Sequence, residues 1–201
     1  MQPTSSKHEQ RSRATRSALV AAARRLFAER GYADVGTEEI VRAAGVTRGA
    51  LYHQFRDKTD LFDTVVQTVE AEVTQRIATQ AMATASDPVE ALRAGARAFL
   101  DAFAEPDAER ILLLDAPGVL GWRRWREIGQ DQGLGVITEA LSAAIETGDL
   151  VDQPVSPLAH LLLGALDEAA LKVAHADDPV ATRTEMAAAL DRLVEGLLVR
   201  R

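Results

Sequence analysis

The sequence predicts an all-α protein of about nine helices, arranged as a three-helix head followed by a larger helical domain. Aromatic residues make up only 4% of the 201 residues, and alanine is abundant. No long stretch alternates apolar and polar residues as a half-buried strand does. Apolar residues instead recur at helical spacing along most of the chain, which indicates helices packed on one another.

Composition limits the kind of protein. With 47% apolar and 26% charged residues, the chain resembles an ordinary globular protein. No window holds the roughly 18 apolar residues of a membrane helix, and the polar N-terminus lacks a signal-peptide core, so we expect a cytoplasmic protein without a membrane partner. The absence of cysteine excludes disulfides, thiolate zinc sites and cysteine redox sensors.

The predicted head begins after a flexible tail at residues 1–10 and covers residues 11–60; the second domain covers 61–201. The first helix is expected to run from about Arg11 to Arg30, with Gly31 as its left-handed C-terminal cap. Its apolar face follows i, i+3, i+4 spacing and comprises Leu19, Ala22, Ala23, Leu26 and Phe27.

Two short helices and one long helix follow. Thr37 is predicted to N-cap the second helix, and Gly45 to end it. Thr47 is predicted to cap a third helix at about 48–54, and a long fourth helix is expected to start near Lys58.

The second domain holds the remaining helices. A fifth is expected from Asp87-Pro88 until Pro106. Pro117 and several glycines interrupt residues 111–149, which predicts a short helix to about Leu114 and then one or two more. Two clear amphipathic helices are expected at about 156–175 and 180–199.

Residues 37–55 follow the pattern of a helix-turn-helix. Gly45 supplies the positive φ of the turn. Gly49 leaves the start of the third helix, which is the second helix of this motif, bare for close approach to DNA. The small shared core is expected to comprise Ile40, Ala44, Val46, Leu51 and Phe55.

The outward side of this motif carries groups that suit DNA. Arg48 can bond guanine, Ala50 can touch a thymine methyl, and Lys58 can hold a phosphate at a helix N-terminus. Tyr52 and His53 can bond phosphates or base edges, although Arg48 and His53 could also stay solvated. The predicted DNA contacts are Thr37, Thr47, Arg48, Gly49, Ala50, Tyr52, His53 and Lys58.

The charge distribution agrees with a nucleic-acid partner. Residues 1–60 carry 11 Lys/Arg and 7 Asp/Glu, a net charge of +4. The rest of the chain carries −11, which gives the overall net charge of −7. A basic head on an acidic body suits an approach to phosphates at one end, although chance clustering is the alternative. The basic arm could reach phosphates or the minor groove, or be a solvated tail; it comprises Lys7, Arg11, Arg13 and Arg16.

The extended motif resembles the N-terminal signature of the TetR family of transcriptional regulators over about residues 15–62. The segment AAARRLFAERG, followed by Tyr32, is similar to the family's first helix. The matching positions are Ile40, Ala44, Gly45, Val46, Thr47, Gly49, Leu51, Tyr52, Phe55, Lys58 and Leu61. Val41 and Gln54 depart from the family's usual alanine and histidine.

The resemblance implies a homodimer in which the last two helices of each subunit form a four-helix bundle. It also implies an inverted-repeat operator and a cavity in the second domain whose small-molecule occupant releases the DNA. Repression is the family's usual mode, although operator position decides between repression and activation. No cofactor is expected.

The effector is expected to be apolar. Both tryptophans follow a Pro/Gly break at 117–121, which could form a deformable pocket wall, although large apolar residues are more often core. The candidates for the lining are Met82, Phe99, Phe103, Leu113, Leu120, Trp122, Trp125, Leu162 and Leu166. His160 and His175 lack a carboxylate at metal-binding spacing, so no metal site is predicted.

Two other classes of protein were weighed. An enzyme is not expected, because H-E-x-x-H, G-x-S-x-G and Walker motifs are absent. A dimeric DNA-binding protein that answers to a protein partner, or to no ligand, is the alternative, and ligand-dependent thermal stabilisation would separate it from an effector-controlled regulator.

Overall fold

Helices form most of the described chain, residues 7–199 of a computed structural model. The first five are α1 (Lys7–Arg30), α2 (Thr37–Ala43), α3 (Arg48–Gln54), α4 (Lys58–Thr84) and α5 (Pro88–Phe103). Next come α6 (Pro106–Ala108), a π-helical stretch (Glu109–Asp115), α7 (Ala116–Leu120), α8 (Trp122–Glu146), α9 (Val155–Ala174) and α10 (Pro179–Glu195). Because α6, the π-helical stretch and α7 run on without a break, residues 7–199 form nine helical rods, which confirms the predicted all-α class.

Local sequence explains where several helices begin and end. The side chains of Thr47, Asp57 and Asp87 accept hydrogen bonds from backbone N–H groups three residues later, as N-caps do. Gly31 and Gly45 take φ values of +81° and +66° after α1 and α2, which residues with a Cβ resist.

Three predicted boundaries differ from the structure. Helix α1 begins at Lys7 instead of near Arg11, and residues 1–6 of the predicted tail lie outside the described residues. Thr37 is the first residue of α2 and not its cap; Gly36 is the N-cap and offers no side chain. Helix α10 ends at Glu195, so the end of the predicted 180–199 helix is not helical.

Of the one or two helices predicted after the short one, the central segment forms one long helix, α8, which Gly129, Gly133 and Gly135 do not break. A glycine inside a helix costs only about 1 kcal/mol relative to alanine, which packing can offset. A Cβ at Gly133 would lie 3.3 Å from Leu163 Cδ1, so the missing side chain lets α8 approach α9 closely. Tertiary packing therefore sets the length of α8.

Helix α4 joins the two parts of the molecule. Its first half packs on α1, and it also contacts α5 and α8 of the larger domain. One continuous core extends from Phe27 and Leu51 in the head through Phe62 and Val69 of α4 to Leu166 of α9. The predicted boundary at residues 60/61 therefore falls in the first turn of a helix shared by both parts.

The far end of the larger domain has a smaller core of its own, around Leu141, Leu150 and Leu158. There Leu150 and Leu198 form an isolated antiparallel bridge. A search of the described helices for a segment with the length and apolarity of a membrane span found none.

Candidate nucleic-acid interface and cavity

Helices α2 and α3 form the helix-turn-helix. The Ala50 N–H donates to Thr47 Oγ1 at 3.2 Å, which fixes the first turn of α3. Ile40, Leu51 and Phe55 are buried between the two helices and α1, and Ala44 and Val46 pack against them. The small core predicted for this motif is therefore present.

The outer side of α3 presents polar and aromatic groups to solvent. Arg48 and His53 are exposed, and Tyr52 is 46% exposed. The Arg48 guanidinium lies 5.6 Å from the centre of the Tyr52 ring, and its Nη1 is 3.4 Å from Glu38 Oε1. These weak contacts can be exchanged for contacts to a ligand.

The start of α3 is open to close approach. Gly49 is exposed, and a Cβ at that position would touch nothing nearer than Thr47 Oγ1 at 3.9 Å. Ala50 is half-buried beside it, and Thr37 is half-buried at the start of α2. The predicted contact residues of α3 and its cap thus lie together on one end of the head.

Lys58, which was predicted to hold a phosphate together with the N-terminus of α4, makes an internal contact in the structure. Its Nζ donates a 2.5 Å hydrogen bond to the Tyr32 carbonyl and lies 4.0 Å from the centre of the Tyr32 ring. Partial burial lowers the pKa of Lys58, while the negative charge of Asp115 acts in the opposite direction. The ammonium group is therefore used in an internal contact between α4 and the chain after α1.

The predicted basic arm is part of α1. Arg16 donates to the Gln54 carbonyl at 2.9 Å and to Thr64 Oγ1 at 3.2 Å, and it stacks over Phe55 at 4.2 Å. Arg16 therefore ties α1 to the end of α3 instead of extending as an arm. Arg11 and Arg13 are exposed on α1, and the side chain of Lys7 lies outside the described residues.

A cavity of about 490 Å³ lies in the larger domain. One wall is a stripe along α4, and the others come from α5, α8, α9 and α10. The α4 stripe consists of Glu70, Thr74, Ile77, Ala78, Ala81 and Met82, and Ala85 lines the cavity just after the helix. The volume lies within the range of about 300–1,000 Å³ found for small-molecule sites.

Four of the nine predicted lining residues border this cavity, namely Met82, Phe99, Leu162 and Leu166. The other five do not. Phe103 stacks on Phe99 on the core side, Leu113 and Trp125 are buried, Leu120 packs against the core, and Trp122 is 59% exposed. Residues 117–120 belong to the helical rod that begins with α6, and none of residues 117–121 borders the cavity.

Sequence reasoning missed Glu70, a lining residue that is only 7% exposed. Its burial and the nearby charge of Asp167 raise the pKa of its carboxyl to about 8. Asp167 is itself ion-paired with Arg126, and burial still raises the pKa of Asp167 to about 6. The available signal was a charged residue between Val66, Val69 and Val73 in the apolar face of α4.

The structure also joins the head to the larger domain through polar contacts. Asp115, at the end of the π-helical stretch, accepts a 2.7 Å hydrogen bond from the Tyr32 N–H. Arg24 of α1 bonds both Glu72 of α4 and Asp107 of α6, at 2.5 and 2.9 Å. These contacts join α1 and the chain after it to α4, to α6 and to the end of the π-helical stretch.

A solvent-facing helix-turn-helix on a helical domain with a cavity defines the class of DNA-binding transcriptional regulators. The chain belongs to the TetR family. A family model described as "Bacterial regulatory proteins, tetR family" matches residues 19–65. A second, "Tetracyclin repressor-like, C-terminal domain", matches residues 89–197.

Known proteins agree with this membership. A TetR-family transcriptional regulator from Pectobacterium atrosepticum is 36% identical with a TM-score of 0.85, covering 98% of this chain and 99% of that one. The TetC protein of transposon Tn10 from Escherichia coli is 28% identical over 78% of this chain and 79% of its own length. The regulator AcrR of Shigella flexneri is 40% identical over 33% of this chain, and the match spans only 31% of AcrR.

The fold also occurs in RolR, whose structure was determined in complex with resorcinol. RolR is 23% identical with a TM-score of 0.73, and the match covers 92% of this chain and 89% of RolR. At this level of identity the similarity concerns the fold alone.

Proposed function

We propose that the protein is a homodimeric repressor that binds an inverted-repeat operator and is released when a small molecule enters the cavity. The observation that carries this proposal is the course of α4. This helix starts beside α3 and Tyr32, and its second half forms one wall of the cavity. A ligand that moves the second half of α4 therefore acts on the head.

In this proposal α3 is the recognition helix. Arg48 bonds a guanine in the major groove, and Ala50 contacts a thymine methyl. Tyr52, His53, Thr37 and Thr47 bond phosphates or base edges, with Gly49 allowing close approach. Lys58 acts differently from our sequence-based expectation, because it positions the head through the Tyr32 carbonyl.

The dimer is proposed to form through α9 and α10. Leu161 of α9 is 71% exposed and Leu193 of α10 is 53% exposed, which is costly for side chains of this size unless they are covered. A two-fold dimer presents its two recognition helices to successive major grooves about 34 Å apart. The operator of such a dimer is an inverted repeat.

Release depends on a spacing change in the dimer. Leu162, Leu163 and Leu166 of α9 and Leu190 and Val194 of α10 line the cavity, so a ligand would contact both the proposed dimer helices and α4. A ligand that binds better to a conformation with the wrong head spacing shifts the dimer away from DNA. The complex of RolR with resorcinol supports a small-molecule occupant.

A regulator that answers to a protein partner, or to none, is the second candidate. The cavity argues for a small molecule, because its volume and its largely apolar lining are those of small-molecule sites. Because the proposed partners are operator DNA and a small molecule, we place the protein in the cytoplasm.

The test is selection of bound sequences from a random duplex pool, using the purified full-length protein at about physiological salt. We expect an enriched inverted repeat with fixed half-site spacing. The enriched duplex then serves to screen compounds for release. Enrichment of a single half-site, or of no sequence, would contradict the proposed dimeric operator binding. If the compounds that stabilise the protein do not release the duplex, the second candidate is favoured.

A further inference from the structure

The buried carboxyl of Glu70 has no function in the packing of the domain. Among the side chains of residues 9–199 it is the only charged one that is buried, and it forms no hydrogen bond or ion pair with any of them. A buried polar group without a partner costs free energy, and a buried charge costs more. Glu70 nevertheless lies on an α4 face that is otherwise apolar or small, where a leucine would pack without that cost.

The groups around Glu70 do not neutralise it. Oε1 lies against α8, 4.0 Å from the position of a Cβ at Gly129. From α9, Asp167 supplies a negative charge that opposes ionisation of Glu70, and Arg126 of α8 is already ion-paired with that aspartate. The surroundings of Glu70 thus include a carboxylate and leave it without a cationic partner in the described part of the chain.

The rest of the cavity lining carries the same sign of charge. Asp87 and Glu139 are exposed lining residues, and the described lining contains no lysine, arginine or histidine. From Glu70 to Met82 the α4 stripe advances by 12 residues, about 18 Å at the helical rise. The cavity is therefore elongated and apolar, with a carboxyl group at its inner end.

We propose that Glu70 binds a cationic nitrogen of the effector, and that the effector is an elongated apolar molecule with this cation at one end. This inference rests on the proposed function, in which the cavity is the effector site. An ammonium nitrogen within hydrogen-bond distance of Glu70 would favour the loss of the carboxyl proton to solvent, and would supply the missing partner of the carboxylate through a charge-assisted bond. The apolar part of the molecule would lie along Ile77, Ala81 and Met82.

Three probes with one alkyl chain and different head groups test the proposal: decylammonium, decanol and decanoate. Binding to the full-length protein is measured by calorimetry at neutral pH without DNA. We expect decylammonium to bind about tenfold or more tightly than decanol, and decanoate to bind most weakly. Equal binding of decylammonium and decanol, or binding of none of the three, would overturn the proposal.

A neutral isosteric variant separates the carboxylate from the general apolarity of the cavity. Glu70→Gln should lose the preference for decylammonium over decanol while it retains decanol binding, which also shows that the variant is folded. Glu72→Gln is the matched control, because it removes the same charge from α4 at an exposed position outside this cavity. An unchanged preference in Glu70→Gln would overturn the assignment.

DNA release is measured separately on the selected operator. Binding of decylammonium that depends on Glu70 but does not release DNA would support the site and contradict the proposed effector function. Release by decanol and decylammonium at equal concentrations would support the effector function and contradict the role of Glu70.

Discussion

The carboxylate of Asp115 accepts a 2.7 Å hydrogen bond from the backbone N–H of Tyr32, 83 residues earlier in the chain. The same residue, Tyr32, accepts the Lys58 ammonium on its carbonyl. One peptide segment after α1 is thus held from two sides, by the larger domain and by the start of α4. In the proposed function, this segment transmits movement of α4 to α1 and the helix-turn-helix.

Loss of the Asp115 carboxylate should weaken this joint. In Asp115→Ala the partly buried Tyr32 N–H loses its acceptor, which is expected to lower the free energy of unfolding by about 1–3 kcal/mol. Urea denaturation measures this change. Asp115→Asn retains an acceptor oxygen and is the control; a loss of stability in Asp115→Asn equal to that in Asp115→Ala would contradict the role of this hydrogen bond.

Lys58 is expected to support DNA binding without contacting a phosphate. Lys58→Met should reduce stability and operator affinity, because the Tyr32 carbonyl loses its donor, but it should leave the salt dependence of binding unchanged. A phosphate contact would instead reduce the slope of log affinity against log salt by about 1 per contact. Operator titrations at several salt concentrations distinguish the two roles, and a reduced slope would restore the phosphate contact.

Arg48 is expected to read a base. Arg48→Ala should weaken operator binding and relax the base preference at one position per half-site by about 1–3 kcal/mol. Arg48→Lys keeps the charge but not the planar fork, so it should retain more affinity than Arg48→Ala and show the same relaxed preference. Arg123→Ala, which removes an exposed charge from α8, is the control. Repeating the sequence selection measures preference; an unaltered consensus in Arg48→Ala would refute base reading.

The proposed dimer depends on apolar contact through α10. Leu193→Glu places a charge in that contact and should give monomers in sedimentation at micromolar concentration, with loss of operator binding. Leu193→Met should remain dimeric. Val151→Glu is the second control and should also remain dimeric, because it adds a charge at an exposed apolar position outside α9 and α10. A monomeric wild-type protein, or a dimeric Leu193→Glu, would contradict this interface.

The raised pKa of Glu70 predicts how stability depends on pH. Burial raises this pKa from 4.5 to about 8, so the folded state holds a proton that the unfolded state releases. The stabilisation from this proton is full below about pH 4.5 and is lost as the pH rises to about 8. The wild type should therefore lose stability relative to Glu70→Gln across this range and no further above it.

The comparison with Glu70→Gln is needed because Asp167 acts in the same direction. Burial raises the pKa of Asp167 from 3.8 to about 6, so it also destabilises the fold as the pH rises through that range. Urea denaturation at a series of pH values gives the difference between the two proteins. A difference that does not vary with pH would show that Glu70 is ionised throughout.

The sequence by itself determined the features that depend on neighbouring residues. Thr47 caps α3 because its hydroxyl reaches the N–H of Ala50, and Gly31 and Gly45 end helices because they adopt positive φ at little cost. The spacing of Ile40, Leu51 and Phe55 likewise predicted the core of the helix-turn-helix. These relationships span a few residues, so the order of the side chains is enough to predict them.

Only the tertiary structure decided which distant residues meet. Trp122 and Trp125 were predicted to line the pocket, but at the start of α8 Trp122 is exposed and Trp125 is buried in the core. Nothing in the sequence placed Lys58 beside the Tyr32 carbonyl. Glu70 had no predicted role, because its burial depends on the packing of α8 and α9 against α4. A side chain's surroundings depend on helices that are far apart in sequence, and spacing along one helix does not contain that information.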